Sequence, residues 1–248
     1  MNLVNLWYKG ITSESLFELQ REYRKLADAH AGDSRVKRFY DDFACSFVYN
    51  SNSIEGNPVT EADTYVILSS DSFLENYTQR DNQEVVSLNK GFRYILTKPE
   101  LTVETLMQAH KYVLFFDPDN AGKFRTAAVH VGGKNMPRFE DIPKKTEELF
   151  ESISLSGGDI FEAVSRFHLR FENIHPFIDG NGRVGRLMLN LMLMHSGFLP
   201  VNIKAADKGK YYRVFRQYDI NTTKGIWELY SLLTKCEHDE LSRFISMF

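Results

Sequence analysis

The chain has little of what marks export, a membrane or a metal framework. Only two cysteines occur in 248 residues, Cys45 and Cys236, and they form no metal-spaced pair. That excludes a disulfide scaffold and fits a reducing compartment. No stretch approaches the roughly eighteen consecutive apolar residues of a membrane-spanning helix. Residues Met1-Asn-Leu-Val-Asn-Leu-Trp7 lack the basic start and long apolar core of a secretory leader. A cytoplasmic location with no membrane partner is the expectation. Excess charge of one sign is missing too, since a net charge of -3 gives no overall pull toward nucleic acid. Low-complexity tracts and internal repeats are absent as well.

What is present is ordinary for a globular protein: 43% hydrophobic and 25% charged residues, in a length that can bury a real core. Helical periodicity dominates. Leu16, Leu19, Tyr23 and Leu26 stripe a helix over 13–29. Asp33 opens a second, with Phe39, Phe43 and Phe47 facing inward, which delivers Ser51 to Glu55 before Gly56-Asn-Pro58 stops it. Thr60-x-x-Asp63 reads as the cap of a helix through Leu68. Helices over about 80–96, 102–115 and 143–154 follow, and Asp159 caps another. The segment after Arg183 is apolar nearly all round, so it reads as the buried central helix, ended by Gly197 and Pro200. Lys204, Lys208, Lys210, Arg213 and Arg216 interleave with aromatic residues. This run reads as a solvated helix face in preference to a nucleic-acid patch. A last helix spans about 223–245.

One region breaks the pattern. Asp117-Pro-Asp-Asn-Ala-Gly122 is turn chemistry, and Thr126 to Val131 has the β-branched alternation of a short strand. Gly132-Gly133 is a hairpin signal, with Met136-Pro137 suited to a short edge strand. On these residues alone, a surface hairpin of no consequence is the simpler reading.

The densest chemistry lies between His175 and Arg186: His-Pro-Phe-Ile-Asp-Gly-Asn-Gly-Arg-Val-Gly-Arg. Gly180 and Gly182 can take positive φ and let the backbone approach an anion. Their N–H groups would form a nest at the N-terminus of the helix that follows. Arg183 and Arg186, one helical turn apart, can fork onto phosphate oxygens. Asp179 is a hard ligand suited to Mg2+ beside those phosphates. His175 is the group whose ordinary pKa suits a general base, and Pro176 keeps it out of the α region. Gly180-x-Gly182-x-x-Gly185 formally matches the dinucleotide fingerprint. However, the residues before it recur at helical spacing and supply no strand. A plain helix–helix turn would explain the glycines but neither the arginine pair nor the aspartate.

These twelve residues resemble the signature of the Fic family, His-Pro-Phe-x-Asp/Glu-Gly-Asn-Gly-Arg-x-x-Arg, at every defined position. The lead-in His168-Leu-Arg-Phe-Glu-Asn-Ile174 and the following Leu187-Met-Leu-Asn190 look like the family's too. Upstream, Ser51-Asn-Ser-Ile-Glu55-Gly56-Asn57 is similar to its inhibitory helix. The resemblance implies an all-α bundle with one β-hairpin flap. It suggests an N-terminal helical region over 1–100 and a core over 101–248, packed as one unit.

The resemblance also implies an enzyme, a nucleotidyltransferase moving AMP from ATP, with Mg2+, to a Tyr, Thr or Ser hydroxyl of a target protein. His175 would be the base and Asp179 the metal ligand. Gly180, Asn181, Gly182 and Arg183 would hold the triphosphate, Arg186 the γ-phosphate and Tyr212 the base. Asp219 stands where some relatives have Asn. Ser51, Glu55 and Gly56 would form the brake, with Glu55 competing for Arg186. The hairpin residues Val129, Val131, Gly132 and Gly133 would dock the target's backbone as an added strand. Two alternatives stay open: a hydrolase in which Glu55 activates water to remove AMP, and a nucleotide-binding regulatory module. The target is not readable, and a homo-oligomer is compatible with the chain.

Overall fold

The computed structural model describes residues 13–153 and 158–248, and the reading of residues 1–7 lies outside them. Ten α-helices, two single-turn 3-10 helices and one two-stranded hairpin make up the regular structure of the described residues. In order, the α-helices and strands are α1 (Ser13–Ala29), α2 (Ser34–Glu55), α3 (Glu61–Ser70), α4 (Gln79–Leu96), α5 (Val103–Val113), β1 (His130–Val131), β2 (Lys134–Asn135), α6 (Ile142–Glu151), α7 (Ile160–Ile174), α8 (Asn181–His195), α9 (Lys208–Ile220) and α10 (Thr222–Ile245).

The caps explain where the helices start. The Asp33 carboxylate accepts from Arg35 N–H, Thr60 from Asp63 N–H and Thr102 from Thr105 N–H. The Asp159 side chain accepts from the N–H groups of Phe161 and Glu162. Each satisfies a donor that the first turn leaves orphaned. Thr78 and Asp81 form a reciprocal capping box that starts α4. The helix expected over 143–154 ends at Glu151, and residues 154–157 are outside the described set.

Helix α8 is the axis of the bundle. Val184 to Met194 are all buried, which is why its sequence carries no polar face. Helices α7, α4, α5 and α2 pack around it, and α10 closes the far side against α9, α1 and α7. A single cluster of buried apolar side chains runs from Leu16 to Phe244. Asn190, fully buried within α8, is satisfied by the backbone N–H and C=O of Val201.

The hairpin is shorter than its sequence suggests. Pairing is limited to His130 opposite Asn135 and Val131 opposite Lys134, with one further bond from Met136 N–H to Val129 C=O. Thr126 to Val129 form no strand, nor does Met136-Pro137. The ladder ends at the Met136–Val129 bond. Gly132 and Gly133 both take positive φ, 58° and 83°, as a two-residue hairpin turn with the native twist requires.

Gly225 marks a close approach of two backbones: a Cβ there would lie 2.5 Å from the Cα of Tyr218 on α9. Gly225→Ala should therefore force α10 away from α9. The expected loss is about 1–3 kcal/mol, or roughly 2–12 °C in Tm for a chain of this size. Thermal unfolding checks it, and an unchanged Tm would mean that the two helices separate without cost.

Candidate active site

The site begins where α7 ends. His175 takes the left-handed conformation, φ 51° and ψ 62°, as the C-cap of α7, and Pro176 prevents further helix. Its Nδ1 lies 3.3 Å from the carbonyl of Glu172, which can only accept, so Nδ1 carries the proton. Nε2 is then the free lone pair. Burial holds the His175 pKa below its ordinary value, against the opposing pull of that carbonyl, so the imidazole is neutral near pH 7.

The loop from Phe177 to Gly180 is braced from within. Asn181 accepts from Phe177 N–H and donates to Phe177 C=O, both at 2.9 Å. These two bonds hold the loop closed at the entry to α8. Gly180 takes φ 79° at the entry to α8, whereas Gly182 is helical and needs no positive φ. Close approach is what requires glycine at 182, because a Cβ there would overlap the Glu55 carboxylate. The first helical bond of α8 runs from Val184 N–H to Gly180 C=O. The N–H groups of Asn181, Gly182 and Arg183 therefore have no helical acceptor, the arrangement by which a helix N-terminus can receive an anion.

The two signature arginines point to different neighbours. Arg183, 3% exposed, turns toward α4, with Glu84 at 3.3 Å and Asp179 at 3.1 Å. Arg80 closes this ring of charges, donating to Glu84 at 3.1 Å and to Asp179 at 2.7 Å. Burial opposes the charge on Asp179, but Arg183, the Gly180 N–H and Arg80 outweigh it and hold its pKa low. Arg186 turns toward α2. It donates to the Ser51 hydroxyl at 2.8 Å, the Ser51 carbonyl at 2.9 Å and the Glu55 carboxylate at 2.7 Å. Its remaining arm is 3.4 Å from the Tyr211 hydroxyl.

Gly56 ends α2 in the left-handed conformation, φ 99°, so the last turn presents Glu55 directly to the α8 N-terminus. Tyr212 donates its hydroxyl to the Ile54 carbonyl at 2.9 Å and holds that same turn. Asp219 pairs with Lys134 of β2, which also donates to Asn173 on α7, both at 2.5 Å. The hairpin thus lies beside the loop that carries His175, with Val129 and Val131 half-buried and both glycines exposed.

Several site residues gave no warning in the sequence. His110 stacks on Phe177 with ring centroids 3.7 Å apart. Its Nδ1 accepts from Gly122 N–H and its Nε2 donates to the Asp179 carbonyl. Burial lowers its pKa to about 4, so it stays neutral while bridging two backbone segments. Glu172 has one oxygen without a hydrogen-bond partner, and burial, with help from Glu55, raises its pKa to about 8. Arg80, Glu84 and Arg125 stand alone at unremarkable positions. Only Glu172 carried a signal, as part of the lead-in to His175.

Residues 100–193 match the model of the Fic/DOC family. That stretch belongs to the Fic family. The chain is 30% identical over 220 residues to "Protein adenylyltransferase Fic" of Nematostella vectensis, covering 84% of this chain and 51% of that relative. The chain thus spans about half the length of the curated relatives it matches. A Fic-domain-containing signaling protein from Bacteroides thetaiotaomicron superposes with a TM-score of 0.83 at 25% identity, over 93% of this chain and 95% of that one. Fic-1 of C. elegans superposes with a TM-score of 0.82 at 25% identity, over 95% and 70%.

His110→Ala would remove the stack on Phe177 and leave the Gly122 N–H and the Asp179 carbonyl unpaired. We expect a loss of about 2–4 kcal/mol in unfolding free energy, read from a urea melt. A loss below about 1 kcal/mol would contradict the role of His110 as the brace of the Fic loop.

Proposed function

We propose that this chain transfers AMP from ATP to a hydroxyl side chain of a protein, and that Glu55 restrains the reaction. One observation carries the restraint: the Glu55 carboxylate lies 2.7 Å from Arg186, 131 residues along the chain. The name "Protein adenylyltransferase Fic" borne by its relatives supports the reaction class.

The proton path is short. His175 Nε2 takes the proton of the target hydroxyl as its oxygen attacks the α-phosphorus. The bond to the β-phosphate oxygen breaks and pyrophosphate leaves. Catalysis here consists of positioning and charge stabilisation, which suits a site built from N–H groups and arginines. The N–H groups at the start of α8 face the phosphates, and Arg183 supplies positive charge behind them. Arg186 is the ligand of the γ-phosphate once Glu55 withdraws. A target segment added to the short, exposed β1–β2 edge would bring its hydroxyl to the loop.

The donor set suits a cation that arrives with its nucleotide. Among the described residues no group of three or more His, Cys, Asp or Glu could hold a metal. Asp179 offers one ionised carboxylate, 41% exposed, and Mg2+ is commonly held by one or two carboxylates plus phosphate oxygens and water. Asp179 would hold Mg2+, which when bound neutralises charge on the phosphates.

The experiment is incubation with ATP labelled at the α- or γ-phosphate, using wild type, Glu55→Gly and His175→Ala. We expect label in protein from the α-position only, more in Glu55→Gly. Removing the base should lower transfer by about 10²–10⁴-fold. Label from the γ-position would overturn the reaction class. A Glu55→Gly chain no faster than wild type would overturn the restraint.

The acidity of His175 gives a second test. Because burial lowers its pKa, the reactive base form persists as the pH falls below neutrality. The acid limb of kcat/KM in Glu55→Gly should lie below the ordinary imidazole value of about 6.5. A limb above that value would place His175 in a different environment.

A further inference from the structure

Arg125 is an arginine that the site's chemistry does not use. It is 3% exposed, and among the described residues no carboxylate pairs with it. Its guanidinium is instead spent on backbone. Nε donates to the His175 carbonyl at 2.8 Å, Nη1 to Ala127 at 2.9 Å and Nη2 to Pro137 at 2.6 Å. Its own N–H donates to the Pro176 carbonyl at 2.9 Å. Ala127 and Pro137 are the two legs of the hairpin, just outside the residues that pair. One planar group therefore ties both legs to the residue that bears the catalytic imidazole.

Two features make that tie consequential. A hairpin with two paired residues per strand has little stability of its own, so its placement depends on what holds its base. His175 is a non-glycine residue at φ 51°, a conformation that persists only where the surroundings enforce it. Arg125 is one of those surroundings for both. A buried cation without a carboxylate needs its acceptors in a fixed arrangement, so a shift of one partner is felt by the others.

We propose that Arg125 is a positioning residue that locks the flap to His175, so that a target strand added to the hairpin finds the imidazole at a set distance. The role rests on the transfer reaction proposed above. In that reaction the attacking hydroxyl comes with the flap-bound strand and the base comes with the loop. Neither carries the other, and Arg125 is the group that fixes the interval between them. Arg125 also bears on the imidazole through charge, since its proximity helps to hold the His175 pKa down.

The test uses the full chain in the Glu55→Gly background, with Arg125→Ala and Arg125→Lys. Calorimetric titration should give ATP affinity within about twofold of the parent, because Arg125 touches no part of the phosphate cradle. Self-modification from α-labelled ATP should fall about 10²-fold, the scale of an ångström-sized misplacement. Lysine cannot span three carbonyls and should not restore it. Methylguanidine added to Arg125→Ala should recover at least about tenfold of the lost rate.

Two readouts are independent of turnover. Amide exchange at Met136 should quicken in Arg125→Ala, and the His175 imidazole, followed by NMR, should titrate at higher pH. Transfer within threefold of the parent, or a rate loss matched by ATP affinity and without methylguanidine rescue, would overturn the proposal. A parent that transfers nothing would overturn the reaction class instead. The exchange and titration readouts would then decide, and no change in either would reject Arg125 as the lock.

Discussion

A guanidinium removed from water must be surrounded by acceptors, and the site is organised around how Arg186 meets that demand. At 2% exposure it cannot fall back on solvent, so each of its arms needs a protein or ligand oxygen. Ser51 supplies two acceptors and Glu55 a third, all from the last turns of α2. Helix α2 is thereby fastened to α8, and the last of these acceptors is a carboxylate that a phosphate could replace. The Ser51 contacts are interior and structural. Glu55 is different: its side chain retains 31% exposure and sits over Gly182, at the mouth of the anion site. A carboxylate and a phosphate satisfy the same fork of donors, so binding one displaces the other. Tyr212 and the left-handed Gly56 hold the turn that presents Glu55, so the fold itself keeps the carboxylate against Arg186.

The other half of the site is held by the same logic with opposite sign. Asp179 is an exposed carboxylate kept ionised by Arg80 and Arg183, while Glu84 balances Arg183 from within α4. Arg80 is largely exposed and can release Asp179 at little cost, as surface ion pairs are weak. Arg183 is buried and cannot. The loop is thus charged on its open side and fixed on its closed side, with His110 and Asn181 bracing the backbone between. Arg125 does for His175 and the flap what Ser51 does for Arg186. It replaces solvent with backbone oxygens and transmits position in the process.

How much of this was legible in the sequence depended on whether the information was local. Helix starts were readable at Asp33, Thr60, Thr102 and Asp159 because a cap and its acceptor task lie within three residues. The loop from His175 to Arg186 was readable because twelve consecutive residues carry its chemistry. The Glu55–Arg186 pairing came from resemblance, since nothing in either residue's neighbourhood points to the other. Local reading falls short where one residue type serves two purposes. Gly182 can take positive φ, but it is helical here and its missing side chain makes room for Glu55. The Asn181 side chain closes the loop, which its place in the motif does not announce. The strand expected over 126–131 pairs only at His130 and Val131, because both ends of the hairpin just outside them, Ala127 and Pro137, are bonded to Arg125. His110, Glu84, Arg80 and Arg125 were invisible, being single polar residues whose partners are set only by how α4, α5 and the flap pack against α8.

Competition between Glu55 and a γ-phosphate for Arg186 is the central claim, and it can be measured without turnover. Calorimetric affinities for ATP and ADP, in wild type and in Glu55→Gly, isolate what the γ-phosphate contributes. If Glu55 occupies Arg186, wild type should bind the two nucleotides with nearly equal affinity, because the terminal phosphate finds its ligand taken. In Glu55→Gly the γ-phosphate gains a charge-assisted hydrogen bond of about 1.5–3 kcal/mol, so ATP should bind roughly 10- to 150-fold more tightly than ADP. An ATP-to-ADP ratio that is the same in both proteins would contradict the account.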